Sequence, residues 1–274
     1  MKKPALYLLV LCLVMFAKAQ TANTNSVENT EKTIEAKKET VAKKDDITEV
    51  KKDDSKPSTS SNITAEKKKP FSVPKFSASP VIDGKLDDEI WKNSVKLVDF
   101  IQFQPGDGAE ASQQTIVYLG YDEKHFYIGI HALDEPDKVR ATVVQRDNIF
   151  GEDNVRLLLD TFNDQRRGYL IGFNPLGIQG DGIYTEGVTN GNDTDMNVDI
   201  LMESKGIMVS DGWTVEAKIP FKSLRYTAGK GKQWGIHILR KITRFNNEQD
   251  SWMPINRNIN GFLLQAGKLT GLDE

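Results

Sequence analysis

The chain has 274 residues, with 36 Lys and Arg against 39 Asp and Glu and a formal net charge of −3. Residues 1–70 hold 14 of the basic residues, all Lys, and 10 of the acidic ones, which leaves 22 against 29 and a net of −7 from Phe71 onward. An acidic domain with no run of Arg or Lys speaks against polyanions and excludes nucleic acid as a partner. The first quarter, with none of the four Trp and one of the twelve Phe, cannot build a core, so one sizeable domain is expected beyond it.

Met1-Lys2-Lys3 opens the chain, an apolar run of 13 residues spans 5–17, and Ala17-Lys18-Ala19 follows. A charged start, a short apolar stretch and small residues at −3 and −1 describe a secretory signal peptide over residues 1–19. The run is shorter than the ~20 residues a membrane span requires. Cys12, the only cysteine, falls inside it behind Leu11, where a lipid-anchoring signal wants a small residue. The exported chain would then lack cysteine and stand on its hydrophobic core alone. Its expected location is the periplasm, the outer membrane's surface or the extracellular space.

Residues 20–70 are Lys, Glu, Asp, Thr and Ser with few aliphatics and no aromatic ring. Apolar burial cannot offset chain entropy in such a segment, so a disordered, solvated spacer is expected. From Phe71 to Glu274 the pattern changes to short apolar runs broken by Gly, Pro, Asn and Asp. Segments 115–121, 126–133, 155–162, 169–174, 213–219 and 234–242 read as strands. The clearest alternation sets Trp213, Val215, Ala217 and Ile219 against Thr214, Glu216 and Lys218, one buried face against one wet face. Single helical turns are expected at 87–93, capped by Asp87, and at 220–224. Many short strands without a βαβ rhythm predict an all-β antiparallel sandwich.

Particular residues then become informative. Val81-Ile82-Asp83-Gly84-Lys85-Leu86-Asp87-Asp88 with Trp91 resembles the opening of family 9 carbohydrate-binding modules, in the version found at the N-terminus of long exported Bacteroidetes proteins. Phe126-Tyr127-Ile128-Gly129, Arg146-Asp147, Leu159-Asp160-Thr161-Phe162, Phe173-Asn174-Pro175, Gly212-Trp213 with Glu216, Ile219-Pro220-Phe221, Arg240, Arg244, Trp252 and Gly267–Leu272 follow in the family's order. The resemblance runs from Val81 to Leu272. It implies a jelly-roll-like sandwich that binds sugars without catalysis, as a monomeric domain serving a glycoside hydrolase or outer-membrane partner. Where such relatives usually carry tryptophans, within 195–204, this chain has Val198 and Met202. They also usually continue into a barrel-like region.

Sugar recognition calls for a flat aromatic face and planar polar side chains that meet vicinal hydroxyls. Trp91, Trp213 and Trp234 read as core. Trp252 follows the polar stretch 246–251 and is the expected stacking platform, packing against the end of the sandwich being the other reading. Arg240 shares parity with Trp234, Ile236 and Ile238, so it either reaches beyond the core's edge or pairs with a carboxylate. Arg244 continues that parity, and Arg240, Arg244, Trp252 and Asn256 make one expected carbohydrate-binding patch. Arg146 and Asp153 flank an acidic turn and either face a ligand or form a structural ion pair. Asp193, Asp195 and Asp199 in the Asn-rich stretch 190–199 are candidate Ca²⁺ ligands, although the spacing is not that of an EF-hand. No other cofactor is expected.

Twenty-nine acidic residues guarantee accidental carboxylate pairs, so their number is no argument for a glycosidase. No nucleophile elbow, zinc helix or phosphate-cradling loop is present. The expected function is therefore non-catalytic binding of an oligo- or polysaccharide. The alternative is a cell-envelope domain that has kept the sandwich for protein contacts and lost the sugar site.

Overall fold

The computed structural model describes residues 65–188 and 193–272. The expected signal peptide and most of the expected spacer lie outside these residues. Two antiparallel sheets make up the domain. The smaller runs β11 (Glu203–Val209), β12 (Gly212–Pro220), β6 (His125–Leu133), β5 (Thr115–Tyr121) and β2 (Val95–Leu97). The larger runs β10 (Thr194–Asp195), β9 (Gln179–Thr185), β8 (Arg167–Phe173), β7 (Asn154–Asp160), β13 (Trp234–Ile242), β14 (Glu248–Ser251), β3 (Ile101–Gln104) and β4 (Ala109–Glu110). β15 (Gly267–Thr270) also pairs with β13 and carries β1 (Phe71–Ser72) in parallel.

The core follows from side-chain alternation. Val117, Leu119, Ile128, Ile130, Trp213 and Val215 of the small sheet join Val155, Leu157, Ile171, Phe173, Ile236 and Ile238 of the large one in a single buried cluster. Each fully buried side chain of this size contributes about 1.5–3 kcal/mol relative to exposure. The outer face of the large sheet is partly covered as well, by Leu158, Leu170 and Leu239 under Ile255 and Leu263 of the chain beyond β14. Trp91 and Phe76 pack with Tyr127 in a third cluster.

Turn chemistry sets the register. Gly212 (φ 144) opens β12 so close to β6 that a Cβ would lie 2.1 Å from the Ala132 carbonyl oxygen, so no larger residue fits. Asn174, fully buried, closes the β8–β9 turn by accepting the N–H groups of Leu176 and Ile178. The expected helical turn near 87–93 is a 3₁₀ helix over Glu89–Asn93, entered from Asp88 rather than Asp87. Asp88 does not cap it but accepts the Val81 N–H at 2.8 Å, which ties the incoming chain to the helix instead. Residues 65–67 form a helical turn, and the Lys67 ammonium donates to the carbonyls of Val98, Asp99 and Trp252.

Candidate functional site

A cleft of about 660 Å³ opens where three loops of the domain meet. Its first wall begins where β7 stops. The buried carboxylate of Asp160 accepts the N–H groups of Asp164 (3.3 Å) and Gln165 (2.8 Å), turning the chain out of the sheet. Asn163 and Gln165 take positive φ there, and Lys268 holds the Asn163 side chain at 2.6 Å. The strand expected over 155–162 therefore ends at Asp160, and Phe162 is lifted outward, 52% exposed on the cleft.

The second wall, 222–225, is pinned to the first. The Thr161 hydroxyl donates to the Arg225 carbonyl at 2.6 Å, and the Arg225 N–H donates to Tyr169 Oη at 2.8 Å. The third wall, 198–200, hangs on Asp181 of β9. That carboxylate accepts the Ile200 N–H and an Arg146 N–H, and Arg146 also donates to the Ile200 carbonyl at 2.8 Å. Burial pushes the Asp181 pKa up, while the Ile200 N–H and the Arg146 charge oppose it. Leu159, Tyr169 and Ile183 form the floor, and Val198 lines the wall. The result is an exposed phenyl ring beside a tyrosine and several charged side chains, chemistry suited to a sugar's C–H face and hydroxyls.

Arg146 is thus the one expected carbohydrate-binding residue bound to this cleft, and it acts by holding a wall: its partners are Asp181, Gln179 and Asp199, not Asp153. Asp153 is 2% exposed, and its carboxylate accepts from Thr243 and from the Arg140 N–H, so it is a structural cap. The expected patch of Arg240, Arg244, Trp252 and Asn256 is not a shared surface. Arg240 is 1% exposed and donates to Asp134 at 2.7 Å, to the Gln114 carbonyl and to Thr115. Arg244 meets the other oxygen of Asp134 at 2.5 Å. The choice left open for Arg240 resolves to a buried ion pair, because a guanidinium facing the core needs a carboxylate.

Trp252 is 5% exposed, packed edge-on against Phe71 at 5.5 Å and close to Gly267, and offers no free face to a ligand. The polar stretch before it misleads because 248–251 is a strand whose Glu248 and Asp250 point inward. Asn256 is exposed and lines a separate cavity of about 750 Å³ that has no aromatic ring in its walls. Its side chain accepts the Asn258 N–H, shaping its own loop.

The Ca²⁺ expectation also yields to local pairing. Asp193 accepts from Thr194, Asp195 from Asn197, and Asp199 faces Arg146 at 3.6 Å. Among the described residues no group of three His, Cys, Asp or Glu could hold a metal; Asn190 and Asn192 lie outside them.

Residues 82–258 match the family described as "Carbohydrate family 9 binding domain-like". The chain belongs to this family. Similar solved structures include a family 9 carbohydrate binding module from Caldicellulosiruptor kristjanssonii in complex with cellotriose (18% identity, TM-score 0.53, covering 74% of this chain and 93% of that one). The same organism's module in complex with glucose is similar at 18% identity and TM-score 0.51, covering 74% and 95%. A Bacteroides uniformis protein, provisionally described as carbohydrate-binding, is 12% identical with TM-score 0.56, covering 73% and 98%. At these identities the likeness concerns the fold. No curated protein matches the chain by sequence. A family 9 domain is a binding module and not an enzyme, and among the described residues no helix is long and apolar enough to cross a membrane.

Proposed function

We propose that this family 9 domain binds saccharide without catalysis in the cleft between Phe162, Tyr169 and the 198–200 and 222–225 loops, working outside the cytoplasm beside a glycan-degrading or envelope partner. Family membership supports saccharide as the ligand, and the exposed ring of Phe162 is the single observation that carries the location. With one aromatic platform and a few charged hydrogen-bonding groups, affinity is expected between millimolar and micromolar, roughly −4 to −8 kcal/mol. Calorimetric titration against neutral and acidic plant and microbial oligosaccharides tests this. Phe162→Ala is expected to weaken binding about tenfold or more, since ring stacking and its buried area are lost together. Binding unaffected by that change would place the ligand elsewhere.

A protein-contact domain is the second reading, and one observation favours it: all four tryptophans are buried, at 0–5% exposure. Copurification with an envelope protein, in the absence of heat with any glycan, would favour it over the first.

A further inference from the structure

We infer that the saccharide taken by this cleft is acidic. The inference rests on the proposed reading of the cleft and adds the charge of its ligand. Three cations, Arg167, Lys222 and Arg225, line the cleft, all of them exposed. Their side chains have no hydrogen-bond or ion-pair partner among the described residues. Only two carboxylates share the lining, and Asp199 already faces Arg146. Asp164 turns one oxygen to the Arg166 N–H, 2.9 Å away. The cleft is therefore a cationic island on a domain whose net charge is −7 from Phe71 onward.

A site built for neutral hydroxyls ordinarily holds its guanidinium groups against carboxylates, so that both present fixed donors and acceptors. Arg146 with Asp181 and Arg240 with Asp134 show that this domain pairs its arginines where they serve structure. Unpaired planar forks beside an exposed ring fit a ligand that brings its own anion: the ring takes the sugar's C–H face, and the forks take a carboxylate or sulfate bidentately. The absence of any basic run beyond Phe71 hides this charge, because Arg167 at the start of β8 and Arg225 in the loop after β12 meet only in the fold.

Trigalacturonic acid, a sulfated galactan trisaccharide and cellotriose, titrated in parallel at low salt, test the inference and tell carboxylate from sulfate. At least one acidic sugar is expected to bind tenfold or more tighter than cellotriose, with the advantage shrinking in 0.5 M NaCl as screening grows. Arg167→Gln and Arg225→Gln are each expected to cut that acidic-to-neutral ratio severalfold, melting curves confirming that these surface variants fold. Cellotriose bound as tightly as both acids overturns the inference and leaves the saccharide reading intact. An acid preference that survives the double Gln variant, or a short single-stranded RNA bound equally well, also overturns it. No saccharide binding of either charge removes the reading of the cleft itself and the inference with it.

Discussion

Asp134→Asn probes the buried charge network that replaced the expected binding patch. The Asp134 side chain is fully buried and holds two guanidinium groups, Arg240 at 2.7 Å and Arg244 at 2.5 Å. Arg240 is itself 1% exposed, and its other acceptors are neutral: two carbonyl oxygens and the Thr115 hydroxyl. Removing the carboxylate charge takes away the only carboxylate among the described residues that Arg240 bonds and leaves the weaker pull of Asp250 and Asp153. Unpairing a buried cation in this way typically costs about 3–5 kcal/mol. Asn keeps the shape and some hydrogen bonding, so the lower end is expected. For a domain of this size each kcal/mol moves Tm by about 2–4 °C, giving a fall of roughly 6–12 °C. Arg240→Met should cost less, because Arg244 still neutralises Asp134 and the thioether fills the apolar surroundings. Urea titration and calorimetry at pH 7 measure both. A loss below about 1 kcal/mol in Asp134→Asn, or a larger loss in Arg240→Met, would refute the account. Saccharide affinity per folded molecule should stay unchanged in both.

His237 supplies a pH test. Burial drives its pKa down to about 4, while its ring N–H donates to the Phe262 carbonyl at 2.8 Å. The unfolded chain takes up the proton near pH 6.5, so stability is full above that value and falls by up to about 3 kcal/mol as pH drops to 4. Denaturation midpoints at pH 7, 5.5 and 4.5 should show this slope, and His237→Gln should flatten it. Asp250 runs the other way. Burial, then the neighbouring Glu248, raise its carboxyl to about 8, against the charge of Arg240. The folded state keeps a proton that the unfolded state releases above about 3.8, so stability is lost as pH rises from there through 8. Asp250→Asn should therefore stabilise the domain more at pH 8 than at pH 5; an equal effect at both would dismiss the raised pKa. Trp252→Ala should cost about 3–5 kcal/mol by opening a cavity against Phe71, with no specific loss of saccharide binding. A folded variant of unchanged Tm with lost binding would restore Trp252 as a platform.

Local pattern determined the strands whose two faces differ. Thr115–Tyr121 and Trp234–Ile242 are strands over the expected residues, and Trp213 alternates into the core as expected, because a period of two is a property of the backbone. The opposite face of β12, expected to be wet, is instead buried at Thr214 and Glu216, which bond to the Gly84 carbonyl and the Trp91 N–H of the covering chain. The order of family motifs carried the sandwich. β9 and β11 escaped notice for different physical reasons. β9 replaces apolar residues with Gly180 and Gly182, which make room for Phe150 and the β10 backbone, and β11 is an edge strand with most side chains wet.

The site was the least legible part. Polar residues before Trp252 look alike whether they face solvent or a buried guanidinium, and only the fold decides. Asp134 meets Arg240 across 106 positions, and nothing in either neighbourhood marks the pairing. Phe162 reads as the end of a strand until the Asp160 carboxylate turns the chain and exposes the ring. Short-range periodicity thus marked several of the segments that become strands and the faces of them that carry apolar side chains. Which charges are neutralised and which stay free depends on contacts between distant loops, and those exist only once the sheets have closed on each other.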